Sequence, residues 1–212
     1  AAEHPGTTVV TDSITSDQLT VYLEKCLGLK HLRFKRGYKN VINKAIELNE
    51  SGIDSQLAIE TSGHAAYKEN YFLDDGAYLA TKIVIKAAQL AQSGAGIDVL
   101  LSSLAEPKEA IEIRFPISGS DFGAYGEKVL TDLKKWAMEP EQVSDGISLV
   151  EPNSEGVRLN FRTEDTEGWC LLRKSLHDPI MPLNVEVTKG SCEKILCIIK
   201  VFLSKYDKIV VE

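Results

Sequence analysis

The chain lacks most of what a metal site or a disulfide framework needs. Its four cysteines, Cys26, Cys170, Cys192 and Cys197, form no CxxC pair, so the thiolate spacing of a structural zinc site is missing. Its four histidines, His4, His31, His64 and His177, are scattered singly with no HExxH-like pair, which disfavours a zinc enzyme. Buried free thiols in a reducing compartment are the better reading. Cys192 and Cys197 fall five apart on one predicted helix and so point to different faces. Positive charge is scarce as well. Lys and Arg number 24 against 31 Asp and Glu, for a net charge of −7, and a nucleic-acid binder would need a basic face. A local cluster of cations would still suffice for a phosphorylated ligand. No apolar run approaches the ~20 residues of a membrane span. The opening residues, Ala1 to Gly6, have neither the basic start nor the apolar core of a signal peptide. A cytoplasmic location is expected, with the plastid after loss of a transit peptide as the alternative. There is no initiating methionine, and the chain opens almost directly on a strand, so it reads as a fragment or a processed product.

What is present is an ordinary globular composition, 43% hydrophobic and 26% charged over 212 residues, enough for one large domain or two small ones. Thr7 to Thr11 is a short β-rich run. Thr15 or Ser16 can cap a helix whose apolar face is Leu19, Tyr22, Leu23 and Cys26, closed by Gly28. His31 to Phe34 reads as a strand, and Val41, Ile42, Ala45, Ile46 and Leu48 mark a second amphipathic helix ending near Gly52. Gln56 to Ile59 is a third strand, and Asp74 or Asp75 caps a long helix carrying Leu79, Ile83, Ala87 and Leu90. Strand and helix alternate, which predicts an α/β layout with a mostly parallel sheet. Ala105 to Glu109 breaks that pattern and sets the expected domain boundary, 1–106 and 107–212. The second half reads as a strand from Ile111 to Phe115 and a helix from about Ser120 to Met138, with Val129, Leu133 and Trp136 inward and Pro140 ending it. Strands are expected next at Ile147 to Val150, Val157 to Phe161, Trp169 to Arg173 and Leu183 to Val187. A final helix from about Cys192 to Lys205 carries Ile195, Ile198, Ile199 and Phe202. An antiparallel sheet backed by two helices is an α+β module.

The chemistry concentrates in Ile59-Glu60-Thr61-Ser62-Gly63-His64, ten residues ahead of Asp74-Asp75-Gly76. Glu60, Ser62 and His64 place an ionised acceptor, a hydroxyl and an imidazole around the small Gly63. That set suits vicinal sugar hydroxyls, because a carboxylate accepts from two donors while a hydroxyl both gives and takes. Taken alone, six polar residues also describe a capped surface turn. This stretch, with Glu69 to Gly76 after it, resembles the sugar-specificity loop of the α-D-phosphohexomutases, the phosphoglucomutases and phosphomannomutases, whose pattern is Gly-Glu-x-Ser-Gly-His followed by a Gly-Asp-Gly or Asp-Asp-Gly helix start. Gly156 to Phe161, then Gly168-Trp169-Cys170-Leu171-Leu172-Arg173-Lys174-Ser175, resembles the family's last domain, where Gly-Trp-x-Leu-x-Arg-x-Ser opens a phosphate-binding loop. The resemblance covers essentially the whole chain, but only the C-terminal half of such an enzyme.

The resemblance implies a three-layer α/β domain III with a mixed, mostly parallel sheet, followed by a smaller α+β domain IV of the TATA-binding-protein-like kind. It also implies phosphoryl transfer between the 1- and 6-positions of a hexose through a hexose 1,6-bisphosphate, with Mg2+ as the metal. Glu60 and Ser62 stand where the family grips hydroxyls, with Gly63 and His64 supporting the loop or approaching the phosphate. Arg173, Ser175 and His177 stand in the phosphate loop. There the chain departs from Arg-x-Ser-Gly/Asn-Thr-Glu-Pro, with Leu176 for the small residue, His177 for threonine and Asp178 for glutamate. Lys35, Gly37 and Tyr38 occupy the family's Lys-x-Gly-His or Lys-x-Gly-Asp loop, either as substrate contacts or within a solvated charge run. Asp74 and Asp75 read as helix caps rather than catalytic acids. The phosphoserine loop and the Asp-x-Asp-x-Asp-Arg magnesium loop are absent from this sequence and are expected in upstream domains I and II of the same protein. The polypeptide alone is therefore expected to be inactive. The partners expected are a hexose phosphate and those domains, not nucleic acid or a membrane. A non-catalytic binding or regulatory module of the same descent is the alternative.

Overall fold

A computed structural model describes residues 3–175 and 177–211. The chain divides into two compact units, Ala1–Glu106 and Pro107–Glu212. In the first, β1 (Thr8–Asp12), α1 (Asp17–Val21), β2 (Lys30–Phe34), α2 (Tyr38–Glu50), β3 (Leu57–Ile59), β4 (Ala65–Tyr67) and α3 (Gly76–Gln92) succeed one another. The sheet order is β2-β1-β3-β4, with β1 parallel to β2 and β3 and only β4 antiparallel. Neighbouring valines in β1 explain the layers, because successive strand side chains face opposite ways. Val10 joins Val41, Ile42, Ala45 and Leu48 of α2 in one core. Val9 packs with Leu23 and Leu29 in another. The mixed, mostly parallel sheet is thus sandwiched, as the alternating pattern predicts.

Two helices of this unit depart from the sequence reading. Ser16 caps α1 by accepting from the Gln18 N–H at 3.0 Å, but the helix continues as a π-turn over Tyr22–Cys26, with the Leu27 N–H reaching back to the Tyr22 carbonyl. The extra residue of a π-turn rotates the side chains beyond it by about 100°. Of the expected face only Leu23 is buried, and Cys26 is exposed. The second departure is larger. Asp75 caps α3 as expected, its carboxylate accepting from the Tyr78 N–H at 2.9 Å, yet α3 buries no residue. Ile83, Val84 and Ile85 are 47%, 66% and 50% exposed. Three residues of β4 span about 10 Å, whereas seventeen helical residues span about 25 Å, so the sheet edge is too short to cover the helix. A cavity of about 550 Å³ remains between α3 and Tyr22, Leu27, Tyr67 and Leu100.

The second unit contains β5 (Glu109–Pro116), α4 (Phe122–Trp136), α5 (Pro140–Ser144), β6 (Ile147–Leu149), β7 (Val157–Arg162), β8 (Glu167–Leu172), β9 (Ile180–Lys189) and α6 (Cys192–Leu203). Its sheet runs β5-β9-β8-β7-β6, antiparallel at every pairing. Val129 and Leu133 of α4 and Ile195 and Ile199 of α6 share one continuous core with Phe115, Phe161 and Leu183 of the sheet. This is the expected α+β module. Pro140 does not end α4 but opens α5, a place where its missing N–H costs nothing. Trp136 is only half-buried, tilted against Phe202 at 5.5 Å. Among the described residues no helix is long and apolar enough to cross a membrane.

Candidate functional site

The three parallel strands of the first unit end at one edge of their sheet, the edge where open α/β sheets hold ligands. Asp12 closes β1 and is fully buried. Its Oδ1 accepts from the Thr15 hydroxyl at 2.9 Å. Its Oδ2 accepts from the Thr61 N–H at 3.0 Å and the Thr61 hydroxyl at 2.6 Å. A buried carboxylate is tolerable only with such compensation. It fastens the loop that leaves β3 to the end of β1.

Glu60 directly succeeds β3 and is nearly buried. One carboxylate oxygen accepts from the Gly37 N–H at 2.6 Å and the other from the Ser62 hydroxyl at 3.1 Å. The loop turns back on itself through Gly63 N–H to Glu60 carbonyl, 3.0 Å, and Glu60 N–H to His64 carbonyl, 2.9 Å. Gly63 adopts φ of +93°, a region in which a side chain is strained. A Cβ there would meet nothing within 4 Å, so glycine serves the backbone angle rather than a close contact. His64 Nδ1 donates to Asp74 at 2.8 Å, and its ring stacks on Tyr38, centroids 4.9 Å apart and planes at 22°. Asp75, beside Asp74, has its carboxyl held below the usual range, chiefly by the Tyr78 N–H. Lys35 is exposed.

The sequence-predicted residues Gly37, Tyr38, Glu60, Ser62, Gly63 and His64 therefore lie together in one hydrogen-bonded and stacked assembly. Asp12, which closes it, was not singled out by the sequence reading, although an acid straight after a buried Thr-Val-Val-Thr strand was the available signal. Asp74, read as a cap, pairs with His64 instead.

Arg173, Ser175 and His177 belong to the second unit, in the turn between β8 and β9. The Arg173 N–H donates to the Pro182 carbonyl at 3.0 Å and the Ser175 N–H to the Ile180 carbonyl at 3.1 Å. The Ser175 hydroxyl accepts from the backbone N–H groups of His177, 3.4 Å, and Asp178, 3.1 Å. Arg173 is nearly buried and His177 exposed, while Lys174 pairs with Glu127 at 3.1 Å. The substitution at Leu176 lies outside the described residues. Among the described residues no group of three or more His, Cys, Asp or Glu side chains is gathered to hold a metal ion.

Of the four cysteines only Cys170 and Cys192 are buried; Cys26 and Cys197 are exposed. The expectation of buried thiols fails for those two, because the π-turn displaces Cys26 and Cys197 sits on the outer side of α6. Burial pushes the Cys170 thiol up to about 12 and Cys192 to about 11.

The first unit thus carries an acidic loop at the carboxyl edge of a mixed sheet, and the second is an antiparallel module with a serine-capped turn. The family model of phosphoglucomutase/phosphomannomutase, alpha/beta/alpha domain III, matches residues 1–106, and the chain belongs to this family. It is similar in structure to a phosphoglucomutase/phosphomannomutase family protein from Burkholderia thailandensis, with TM-score 0.71 and 24% identity over 96% of this chain and 38% of that one. It is also similar to the N-acetylphosphoglucosamine mutase of Aspergillus fumigatus, with TM-score 0.56 and 13% identity over 95% of this chain and 38% of that one. A structure of that mutase in complex with glucose 1,6-bisphosphate gives 0.55 and 12%, over 96% and 39%. At these identities the likeness is one of fold. The chain spans 38–39% of the length of these structures. No curated protein matches the sequence.

Proposed function

We propose that the chain is the hydroxyl- and phosphate-binding C-terminal half of a phosphohexomutase, an isomerase that moves a phosphoryl group between the 1- and 6-positions of glucose or mannose phosphates. The observation that carries this reading is the gathering of three residues at the carboxyl edge of the sheet, Glu60 on the Gly37 N–H, Ser62 on Glu60 and His64 against Tyr38. An ionised carboxylate has about four acceptor sites. The Gly37 amide and the Ser62 hydroxyl engage one each, so the nearly buried Glu60 can still receive sugar hydroxyls. Because a hexose 1,6-bisphosphate must be held in two opposed orientations, a grip on hydroxyls that ignores which phosphate lies nearer is what the chemistry needs. Arg173, with its planar fork, and Ser175 and His177 would receive the phosphate that is not being transferred. The glucose 1,6-bisphosphate bound by the Aspergillus mutase is in keeping with that ligand class.

The magnesium that the family implies finds no fitting donor set among the described residues. Its binding, like the phosphoserine, is assigned to upstream domains I and II of the same protein, and the chain alone is inactive. Free thiols, two of them exposed, fit a reducing compartment such as the cytoplasm or the plastid.

One observation favours the second reading, a non-catalytic binding or regulatory module. The Ser175 hydroxyl already accepts from the His177 and Asp178 amides, which are then not open to a phosphate oxygen. Amide spectra recorded while glucose 1-phosphate and then glucose 1,6-bisphosphate are added decide between them. Shifts at Glu60, Ser62, Arg173 and Ser175 support the mutase half. Silence at Arg173 and Ser175 with shifts at Glu60 favours the module, and silence everywhere at millimolar ligand sinks both. Conversion of glucose 1-phosphate to glucose 6-phosphate by the purified chain would overturn its inactivity.

A further inference from the structure

Three separate elements meet at His64. Tyr38 is the first residue of α2, His64 ends the loop after β3, and Asp74 lies two residues before α3. Gly37, the N-cap of α2, adopts φ of +111° and carries no side-chain cap. Its N–H instead donates to the Glu60 carboxylate at 2.6 Å, a charge-assisted bond of the short, strong kind. That bond joins the start of α2 to the sugar loop and so determines where Tyr38 projects. The Tyr38 ring lies nearly parallel to the His64 imidazole, 4.9 Å away. Asp74 accepts from the Nδ1–H at 2.8 Å, which leaves Nε2 as the ring nitrogen that Asp74 does not engage. No hydrogen bond to Nε2 is formed among the described residues.

A hydrogen bond to one ring nitrogen sets rotation within the imidazole plane but leaves the plane free to swing about that bond. A stacked ring removes the swing. Tyr38 stands where the resembling loops carry histidine or aspartate, and neither of those offers a phenyl face of that area. We propose that Tyr38 is a positioning residue. Stacking on His64, it fixes the plane of the imidazole that Asp74 fixes in rotation, so that Nε2 is presented to the ligand in a single orientation. Tyr38 acts through His64 and does not itself take the substrate. Only the ring is required, since the Tyr38 hydroxyl makes no hydrogen bond among the described residues. The link to a sugar phosphate rests on the mutase reading above; the stack itself does not.

The test compares the chain with Tyr38→Phe, Tyr38→Leu and Tyr38→Ala. Tyr38 is 38% exposed, so all three should fold, and Tyr38→Leu keeps apolar volume without a ring. The first readout is the ring-proton and ring-nitrogen resonances of His64. The parent and Tyr38→Phe should show ring-current displacement of the His64 resonances, and the Leu and Ala variants should lose it while the Nδ1–H bond to Asp74 persists. The second readout is affinity for glucose 1-phosphate, expected to fall roughly 2- to 10-fold in Tyr38→Leu and Tyr38→Ala, the size of one aromatic pair, and to be held in Tyr38→Phe. His64 resonances that ignore loss of the ring, or a Tyr38→Phe variant that behaves like Tyr38→Ala, would overturn the proposal. If the parent binds no sugar phosphate but the His64 signature depends on the ring as expected, the positioning role stands and the mutase reading falls.

Discussion

Asp12 shows how much of the candidate site is held from below. Replacing it with Asn keeps a carbonyl acceptor but removes the charge to which Thr15 and both donors of Thr61 point. Buried hydrogen bonds to a charged group are worth about 1.5–3 kcal/mol each, so Asp12→Asn should cost about 2–4 kcal/mol in urea unfolding. Thr61→Val, which leaves the Thr61 N–H in place, should cost about 1 kcal/mol. The double variant should cost less than the sum, since the two changes share partners. The thiols give a second test at this scale. In the native chain a disulfide reagent near neutral pH should label Cys26 ahead of Cys197, whose thiol is held up by the Glu193 carboxylate. Cys170 and Cys192 should react only after unfolding, because burial keeps both protonated. Glu60, Ser62 and His64 were legible because they are adjacent in the chain. Asp12 was not, because its partner Thr61 lies 49 residues away and a lone acid after a strand has many meanings.

Periodicity exposed most of the elements and hid the fate of one. The spacing of Val41, Ile42, Ala45, Ile46 and Leu48 identifies α2 and its inner face together, and all but the half-buried Ile46 are buried. The same spacing in α3 identifies the helix but not its burial. Period tells which side chains share a face, not whether a long enough strand exists to cover it. Pro182 concealed the length of β9 in a related way. It reads as a strand breaker, yet it stays in the ladder through its carbonyl, which accepts from Arg173, and β9 runs through it from Ile180 to Lys189. The contrast between helices is measurable. Val84→Ser on α3 should change stability by less than about 0.5 kcal/mol, while Val129→Ala on α4, fully buried, should cost about 1–3 kcal/mol. Equal losses would mean that α3 is packed after all. Acid addresses the join between β3 and the segment after β4. Lys68, with Thr7 and Gln56, holds the Asp54 carboxyl at about 2, below its value in an unfolded chain. The stability this adds is fully present above about pH 4 and is lost as pH falls through about 2. The pair is half-exposed, so the gain is below about 1 kcal/mol, and Lys68→Met should flatten the stability profile between those limits.

Across the molecule the two units differ in how their cores are built. The second has a single cluster fed by all five strands and by α4 and α6. The first divides its core between two small clusters on opposite faces of a four-stranded sheet, with alanines at several central places and α3 adding nothing buried. Apolar area removed from water is the main stabilising quantity, so the first unit should open before the second. Amide exchange should show β1 and α2 exchanging faster than β8, β9 and α6, and the reverse order would contradict this account. The fold class was legible at this scale because alternating strand and helix in one half and clustered strands in the other demand different sheets.

The tie between Asp12 and Thr61 also bears on descent. Thr61 sits between the two residues proposed to grip the sugar, a natural place for a lineage to experiment with specificity. Here it is bound to a carboxylate buried at the end of the first strand, so an exchange at 61 that gives up the hydroxyl takes from that carboxylate the shorter of its two bonds to Thr61. Among relatives that keep this arrangement, exchanges at 61 should accompany exchanges at 12 more often than chance, and a new sugar preference acquired at 61 would be felt in the core.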